Sequence, residues 1–255
     1  MSTGTQYAGP GGAMAHADKP VTGEVGERLS SVTAEVGDRV EHVIEEIKPR
    51  LRGWLHAATL PLTVVAGVVL IALSPRPSIA WASAVYTACA VLLFGVSALY
   101  HTGTWSPTAH GRLQRFDHAN IFLLIAGSYT PYTLLLLDRS DATVLLLLVW
   151  TGALAGVLFR VFWVDAPRWL YVPIYLALGW AALFWMPQFA ASASTTVLVL
   201  LIVGGALYSV GGLVYGLQRP NPSPAWFGFH EVFHSLTIAA FVVHYIGVSI
   251  ATYTS

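Results

Sequence analysis

From Trp54 onward the chain runs as long apolar blocks broken by short polar interruptions. The blocks cover residues 54–73, 79–101, 117–137, 142–162, 169–187, 195–217 and 228–251. A block of about 20 apolar residues, coiled as an α-helix, crosses roughly 30 Å of hydrocarbon. Turn signals stand between the blocks, among them Ser74-Pro75-Arg76-Pro77, Asp138-Arg139-Ser140-Asp141 and Arg219-Pro220-Asn221-Pro222. The pattern predicts an all-α polytopic membrane protein, with seven transmembrane helices in a domain over residues 49–255.

The first part of the chain is written differently. Residues 1–23 are rich in Gly, Ala, Pro and Thr and show no apolar period, so a disordered tail is expected there. Between residues 24 and 48, Val25, Leu29, Val32, Val36, Val40, Val43 and Ile47 recur at spacings of three and four, the stripe of an amphipathic cytoplasmic helix. Its other faces carry seven acids against Arg28, Arg39 and Lys48. An anionic inner leaflet repels that excess, which leaves packing on its own protein or on a second copy, hence a possible homo-oligomer.

Composition agrees with the membrane reading: 55% of residues are hydrophobic and only 10% charged, against about 25% charged in soluble domains. Seven of the nine tryptophans lie near block ends, where an amphipathic ring prefers the interface. The net charge of zero says little, and no nucleic-acid partner is expected. The placement of the cations says more. Lys48, Arg50, Arg52, Arg112, Arg115, Arg160, Arg168 and Arg219 fall on one side, and only Arg76 and Arg139 on the other. That bias predicts a cytoplasmic N-terminus and an external C-terminus, in the cell inner (plasma) membrane. The single cysteine, Cys89, lies within a block, reads as a packing residue and leaves no intrachain disulfide.

Past residue 50 the chain has five carboxylates. Asp138, Asp141 and Asp165 fall in loops, whereas Asp117 and Glu231 stand at block ends beside histidines. Ionisable groups at hydrocarbon depth are costly and point to function. Span alternation delivers three segments to one membrane face: the end of the second span with Ser97 and His101, the start of the third with Asp117 in its first turn, and the start of the seventh with His230 and His234. His230 and His234, four apart on a helix, reach one ion from one side, and His101 closes a three-imidazole set with a fourth position open, the pattern of a catalytic zinc site. Asp117 is placed to hold or orient water on the metal, and Ser97, one turn deeper than His101, to hydrogen-bond a ligand, the water or a substrate oxygen.

The remaining histidines get plainer expectations. His118, about 100° round the helix from Asp117, is expected to face elsewhere. His16, His56 and His110 read as loop or interface residues. His244 is expected to be buried and hydrogen-bonded to another helix. The letters HEVFH also fit the H-E-x-x-H of zinc proteases. Glu231, adjacent to His230, points off that face and is read as an interface residue.

The blocks SALYH (97–101), DHANIFLLIAGSYTPY (117–132) and HEVFHSLTIAAFVVHY (230–245) resemble the signatures of the hemolysin III family, the bacterial branch of the progestin and adipoQ receptor superfamily. The segment KPRLRGWLH (48–56) resembles its lead into the first span, and the resemblance covers roughly residues 48 to 251. It implies seven helices, a cytoplasmic N-terminus, and zinc held by His101, His230 and His234 near the cytoplasmic face. It also implies an aspartate at the zinc-bound water, matching Asp117, and a serine matching Ser97. Eukaryotic members are described as receptors with ceramidase-like hydrolysis, and bacterial ones are linked to haemolysis and membrane lipid homeostasis.

Several functions therefore stay open. The first is a zinc-dependent hydrolase of lipid amides or esters, with membrane lipids as its partners and Asp117 and Ser97 as catalytic residues. The second is a non-enzymatic sensor or receptor of membrane state with structural zinc and a lipid-like ligand. A pore is the third, although no ring of charges stands within a span. Haem held by two histidines is the fourth, and two ligands on one helix face beside Asp117 suit zinc better.

Overall fold

The computed structural model describes residues 49 and 51–254, together with residues 28, 29 and 31–33. Those five N-terminal residues are helical. The tail expected over 1–23, most of the helix expected over 24–48, and Lys48 and Arg50 lie outside the described residues.

Among the described residues, seven helical stretches are long and apolar enough to cross a membrane. They are α1 (Trp54–Ala72), α2 (Pro77–Thr102), α3 (Pro107–Leu136), α4 (Arg139–Phe162), a fifth span (Arg168–Ser192), α7 (Thr195–Leu217) and α8 (Phe229–Tyr253). The fifth is broken into α5 (Arg168–Gly179), a 3₁₀ turn (Ala181–Trp185) and α6 (Met186–Ser192). No strand occurs among the described residues. Hydrocarbon offers no partner to a backbone N–H or C=O, so helices, which satisfy both internally, are the natural solution for such blocks.

The helix starts follow local chemistry. Pro77 and Pro107 stand at first positions, where no N–H is needed. Ser106 Oγ accepts from the Ala109 N–H at 3.4 Å, and Ser194 Oγ from the Val197 N–H at 3.3 Å. Asp138 caps α4 by accepting from the backbone N–H groups of Ser140 and Asp141, both at 2.9 Å. The Asp141 N–H and the Ser140 hydroxyl, with the Ser140 N–H, hold its carboxyl below the ordinary range.

One boundary differs from expectation with a consequence for the site. Helix α3 begins at Pro107, ten residues before Asp117, so Asp117 lies in the third turn of the helix. Hydropathy marks where a span starts, whereas the Ser106–Pro107 cap marks where the helix starts, and a polar leading segment separates them.

Consecutive helices pack against one another from α1 to α4, α7 packs on α8, and α8 returns against α1 and α3. Helix α3 is the most buried of the seven spans. Leu62, Trp81, Phe162 and Phe184 are among the most exposed side chains, a distribution suited to a lipid-facing surface and costly in water. Small residues let the helices approach: a Cβ on Gly127 would stand 2.8 Å from the Cβ of buried Cys89. Tyrosine hydroxyls tie helices to carbonyls: Tyr86 to Phe241 O at 3.3 Å, Tyr132 to His244 O at 3.1 Å and Tyr245 to Ala66 O at 2.9 Å.

The break in the fifth span leaves backbone groups without intrahelical partners at membrane depth. Tyr129 of α3 supplies them: its hydroxyl donates to Gly179 O at 2.6 Å and accepts from the Ala182 N–H at 2.9 Å. Trp180 at the break donates from Nε1 to Ser209 Oγ of α7 at 2.7 Å. Tyr129→Phe removes both services of the hydroxyl. The expected result is a loss of roughly 1–3 kcal/mol of stability, read as a lower midpoint of thermal unfolding in detergent. An unchanged midpoint would show that the break is satisfied without Tyr129.

Candidate metal centre

Segments of three helices meet at one end of the bundle. Helix α2 brings Ser97 and His101, α3 brings Asp117, and the first turns of α8 bring His230 and His234. The ring nitrogens of His101, His230 and His234 offer one atom each, all within 4.8 Å of one another. His101 Nε2 and His230 Nε2 stand 3.2 Å apart. Tetrahedral coordination with metal–nitrogen bonds of 2.0–2.1 Å sets neighbouring nitrogens about 3.3 Å apart. The pair already has that spacing, and the three imidazoles form a group able to hold a metal ion.

Asp117 Oδ2 lies 3.6 Å from His101 Nε2, and both residues are buried. Ser97 Oγ and His234 Nδ1 are buried and make no hydrogen bond of ordinary geometry among the described residues. Orphaned polar atoms in a native interior call for an explanation, and an ion or ligand between them is one. The Asn120 side chain donates to Leu92 O at 3.2 Å and pins α3 to α2 just past Asp117.

His56 was expected at an interface and is instead buried in this cluster. Its ring stacks on His234 with centroids 3.8 Å apart and planes 14° apart, and meets Phe94 edge-on at 5.0 Å. Both its nitrogens lack partners. The local cause is Gly53, in the left-handed region at φ 84°, where a Cβ would come within 2.6 Å of His101 Cβ. Only glycine lets the start of α1 turn in so closely, and His56 follows one turn later. Span parity, which places the start of α1 at the same membrane face as the other three ends, was the signal available.

Glu231 also departs from expectation. It is fully buried, not at an interface, and pairs with Arg52 Nε at 3.0 Å. Its other oxygen accepts from the Gly228 N–H at 2.8 Å, capping α8. Both oxygens are thus committed away from the triad, which removes the carboxylate that a protease of the H-E-x-x-H type requires. The pair ties the start of α1 to the first turn of α8, which carries His230.

His118 makes its shortest contact away from the triad, with Nδ1 2.7 Å from an Arg160 nitrogen of α4. It nevertheless lines the cavity described next, which the expectation for it did not include. His244 is buried with Nε2 3.2 Å from Leu201 O of α7, as expected.

A cavity leads away from the cluster, with about 950 Å³ of empty space when the part open to solvent is counted. At one end His56, Ser97, Asp117, His230 and His234 line it; at the other stand Trp180, Tyr208 and His244. His230 and His244 are fourteen residues apart on α8, about 21 Å along its axis. The walls between are largely apolar, with Leu93, Ile121, Leu124, Ile125 and Phe233 among them.

Arg52→Met strands the Glu231 carboxylate in the interior. Removing one partner of a buried pair costs about 3–5 kcal/mol, and the solvent access of Arg52 places the expected loss at the lower end. Chemical denaturation in detergent measures it, and metal content measured alongside should fall as the first turn of α8 loosens. Wild-type stability in the variant would show that the pair anchors nothing.

Comparison with known proteins matches this architecture. A profile of the family described as Haemolysin-III related matches residues 44–245. The chain is 36% identical over 178 residues to the hemolysin-3 homolog of Bacillus subtilis (strain 168), covering 68% of this chain and 83% of that one. It is 30% identical over 163 residues to hemolysin-3 of Bacillus cereus, covering 63% and 74%. It is 29% identical over 181 residues to the adiponectin receptor protein of Drosophila melanogaster, covering 63% of this chain and 40% of that one. With seven membrane-spanning helices and these relatives, this is a multi-pass plasma-membrane protein, and the chain belongs to the Haemolysin-III related family.

Proposed function

We propose that the protein is a zinc-dependent hydrolase of lipid amides or esters that serves membrane lipid homeostasis. The observation that carries this reading is the long apolar cavity ending at His230, His234, Asp117 and Ser97. Such a cavity, apolar along its walls and polar at one end, suits an acyl chain along the walls and an acyl carbonyl at the polar end. His101, His230 and His234 are the residues that would hold the ion, and imidazole nitrogen suits zinc. Zinc, when bound, supplies Lewis acidity toward the carbonyl and makes water a competent nucleophile at neutral pH.

The chain's own residues do the rest. Asp117, 3.6 Å from His101 Nε2, accepts the proton of the attacking water and returns it to the amine or alcohol that leaves as the C–N or C–O bond breaks. Ser97 Oγ, buried beside Asp117 at the polar end of the cavity, donates to the acyl oxygen as charge develops there. The apolar walls hold the chain and exclude bulk water, which strengthens each of these interactions.

The name of the Drosophila relative, an adiponectin receptor, favours a second reading as a sensor of a lipid-like ligand with structural zinc. Substitution of Asp117 separates the two. Asp117→Asn keeps three imidazoles, so zinc content and thermal stability should stay near wild type, while His234→Ala loses the metal. Hydrolysis of short-chain ceramides or esters should fall about 10²–10⁴-fold in Asp117→Asn, the usual contribution of a positioned base. A wild type with zinc and no turnover points to the sensor, and a fully active Asp117→Asn removes Asp117 from the mechanism.

We further propose that this site lies near the cytoplasmic face, because Arg52, Arg112, Arg115, Arg160, Arg168 and Arg219 cluster at that end of the spans. A topology reporter fused after Ser255 should read as external; a cytoplasmic signal would invert the assignment.

A further inference from the structure

Beside the candidate centre, on the far side of α3, stands a buried cation that the hydrolase reading does not use. Arg160 of α4 is 2% exposed and makes no ion pair among the described residues. Its guanidinium sits 4.2 Å over the Tyr171 ring, one nitrogen lies 3.4 Å from Trp163 O, and another lies 2.7 Å from His118 Nδ1. Burying a guanidinium with no carboxylate is expensive. Its most direct contact is with His118, a histidine of the cavity wall that stands outside the imidazole cluster.

That contact determines the state of His118. A guanidinium has only N–H donors, so at 2.7 Å the Nδ1 atom must accept. An imidazole whose Nδ1 accepts carries its hydrogen on Nε2, because the bond at one ring nitrogen sets the tautomer. His118 also lines the cavity, next to Asp117 and one turn before Ile121. Its Nε2 has no hydrogen-bond partner among the described residues. The result is a preset donor in a largely apolar wall.

We propose that His118 is a ligand-binding residue whose Nε2–H, oriented by Arg160, donates to the carbonyl oxygen of an acyl lipid in the cavity. The proposal rests on the reading of the cavity as an acyl-lipid site. A carbonyl is the complementary group: it accepts, it is neutral, and it enters an apolar channel at far lower cost than a charge. A donor there also selects, since an analogue lacking the oxygen leaves the Nε2–H unpaired in a largely apolar wall.

Two measurements on the full-length protein in detergent test it. In protein carrying ¹⁵N-histidine, the resonance missing from His118→Gln identifies His118, and its ¹⁵N shifts report the tautomer. A neutral ring with hydrogen on Nε2 is expected; hydrogen on Nδ1, or on both nitrogens, overturns the proposal. The second measurement is quenching of tryptophan fluorescence, since Trp180 lines the cavity, by an N-acyl amide brominated along its chain and by a bromoalkane of equal length. His118→Leu should weaken the amide roughly fivefold, leave the bromoalkane unchanged, and keep wild-type zinc content. His118→Gln, which retains an N–H donor, should recover most of the loss. Equal loss for both ligands, or no loss for the amide, overturns the role of His118. A wild type that binds neither ligand instead shows that the acyl-lipid reading of the cavity has failed, and the proposal with it.

Discussion

Two imidazole nitrogens, His101 Nε2 and His230 Nε2, face each other across 3.2 Å in the interior of a helical bundle. Much of the surrounding structure serves to hold that spacing. His101 ends one helix and His230 begins another, more than a hundred residues later, so no local rule can set the distance. It is set by what grips the two helix ends. Gly53 lets α1 close on His101, and the Arg52–Glu231 pair fastens the same end of α1 to the first turn of α8. A single strap thus runs from His101 through α1 to His230. Glu231 holds that strap and caps α8 with its two oxygens, which accounts for a carboxylate buried beside histidines.

The same helices shape the space that leads to the cluster. Helix α3 carries Asp117 and His118 at one end of the cavity and Tyr129 farther along it. Tyr129 satisfies the backbone of the broken fifth span, and that break, with Gly179 and Trp180, forms part of the cavity wall. Irregular backbone at membrane depth is tolerated where it lines a cavity and finds partners, and both conditions hold here. The deviation from a straight helix and the room for a ligand are one feature.

The cluster is larger than its three converging imidazoles. His56 stacks behind His234, and Arg160 stands behind His118. Each places an aromatic or cationic surface against a functional ring and restricts its rotation. Such support decides how well a first layer of residues keeps its geometry, and it comes from α1 and α4, neither of which carries one of the three clustered imidazoles.

By itself the sequence determined the seven spans, because blocks of apolar residues of membrane length admit few structures other than helices. It also determined which residues can meet: once the spans alternate, Ser97, His101, Asp117, His230 and His234 share one membrane face. Parity supplies that and no more. It does not say which way a side chain turns, and the tertiary structure alone decided those cases. His56 turns inward because Gly53 takes a left-handed conformation, and Glu231 turns to Arg52 instead of the triad. His118, rotated away from the triad, still reaches the cavity because the cavity also runs between α3 and Tyr175 and Leu176 of α5. Where α3 starts was likewise set by a Ser-Pro cap and not by hydropathy. Helical periodicity orders the residues of one segment around its own axis, whereas the angle at which that axis is presented to its neighbours comes from packing between segments distant in sequence.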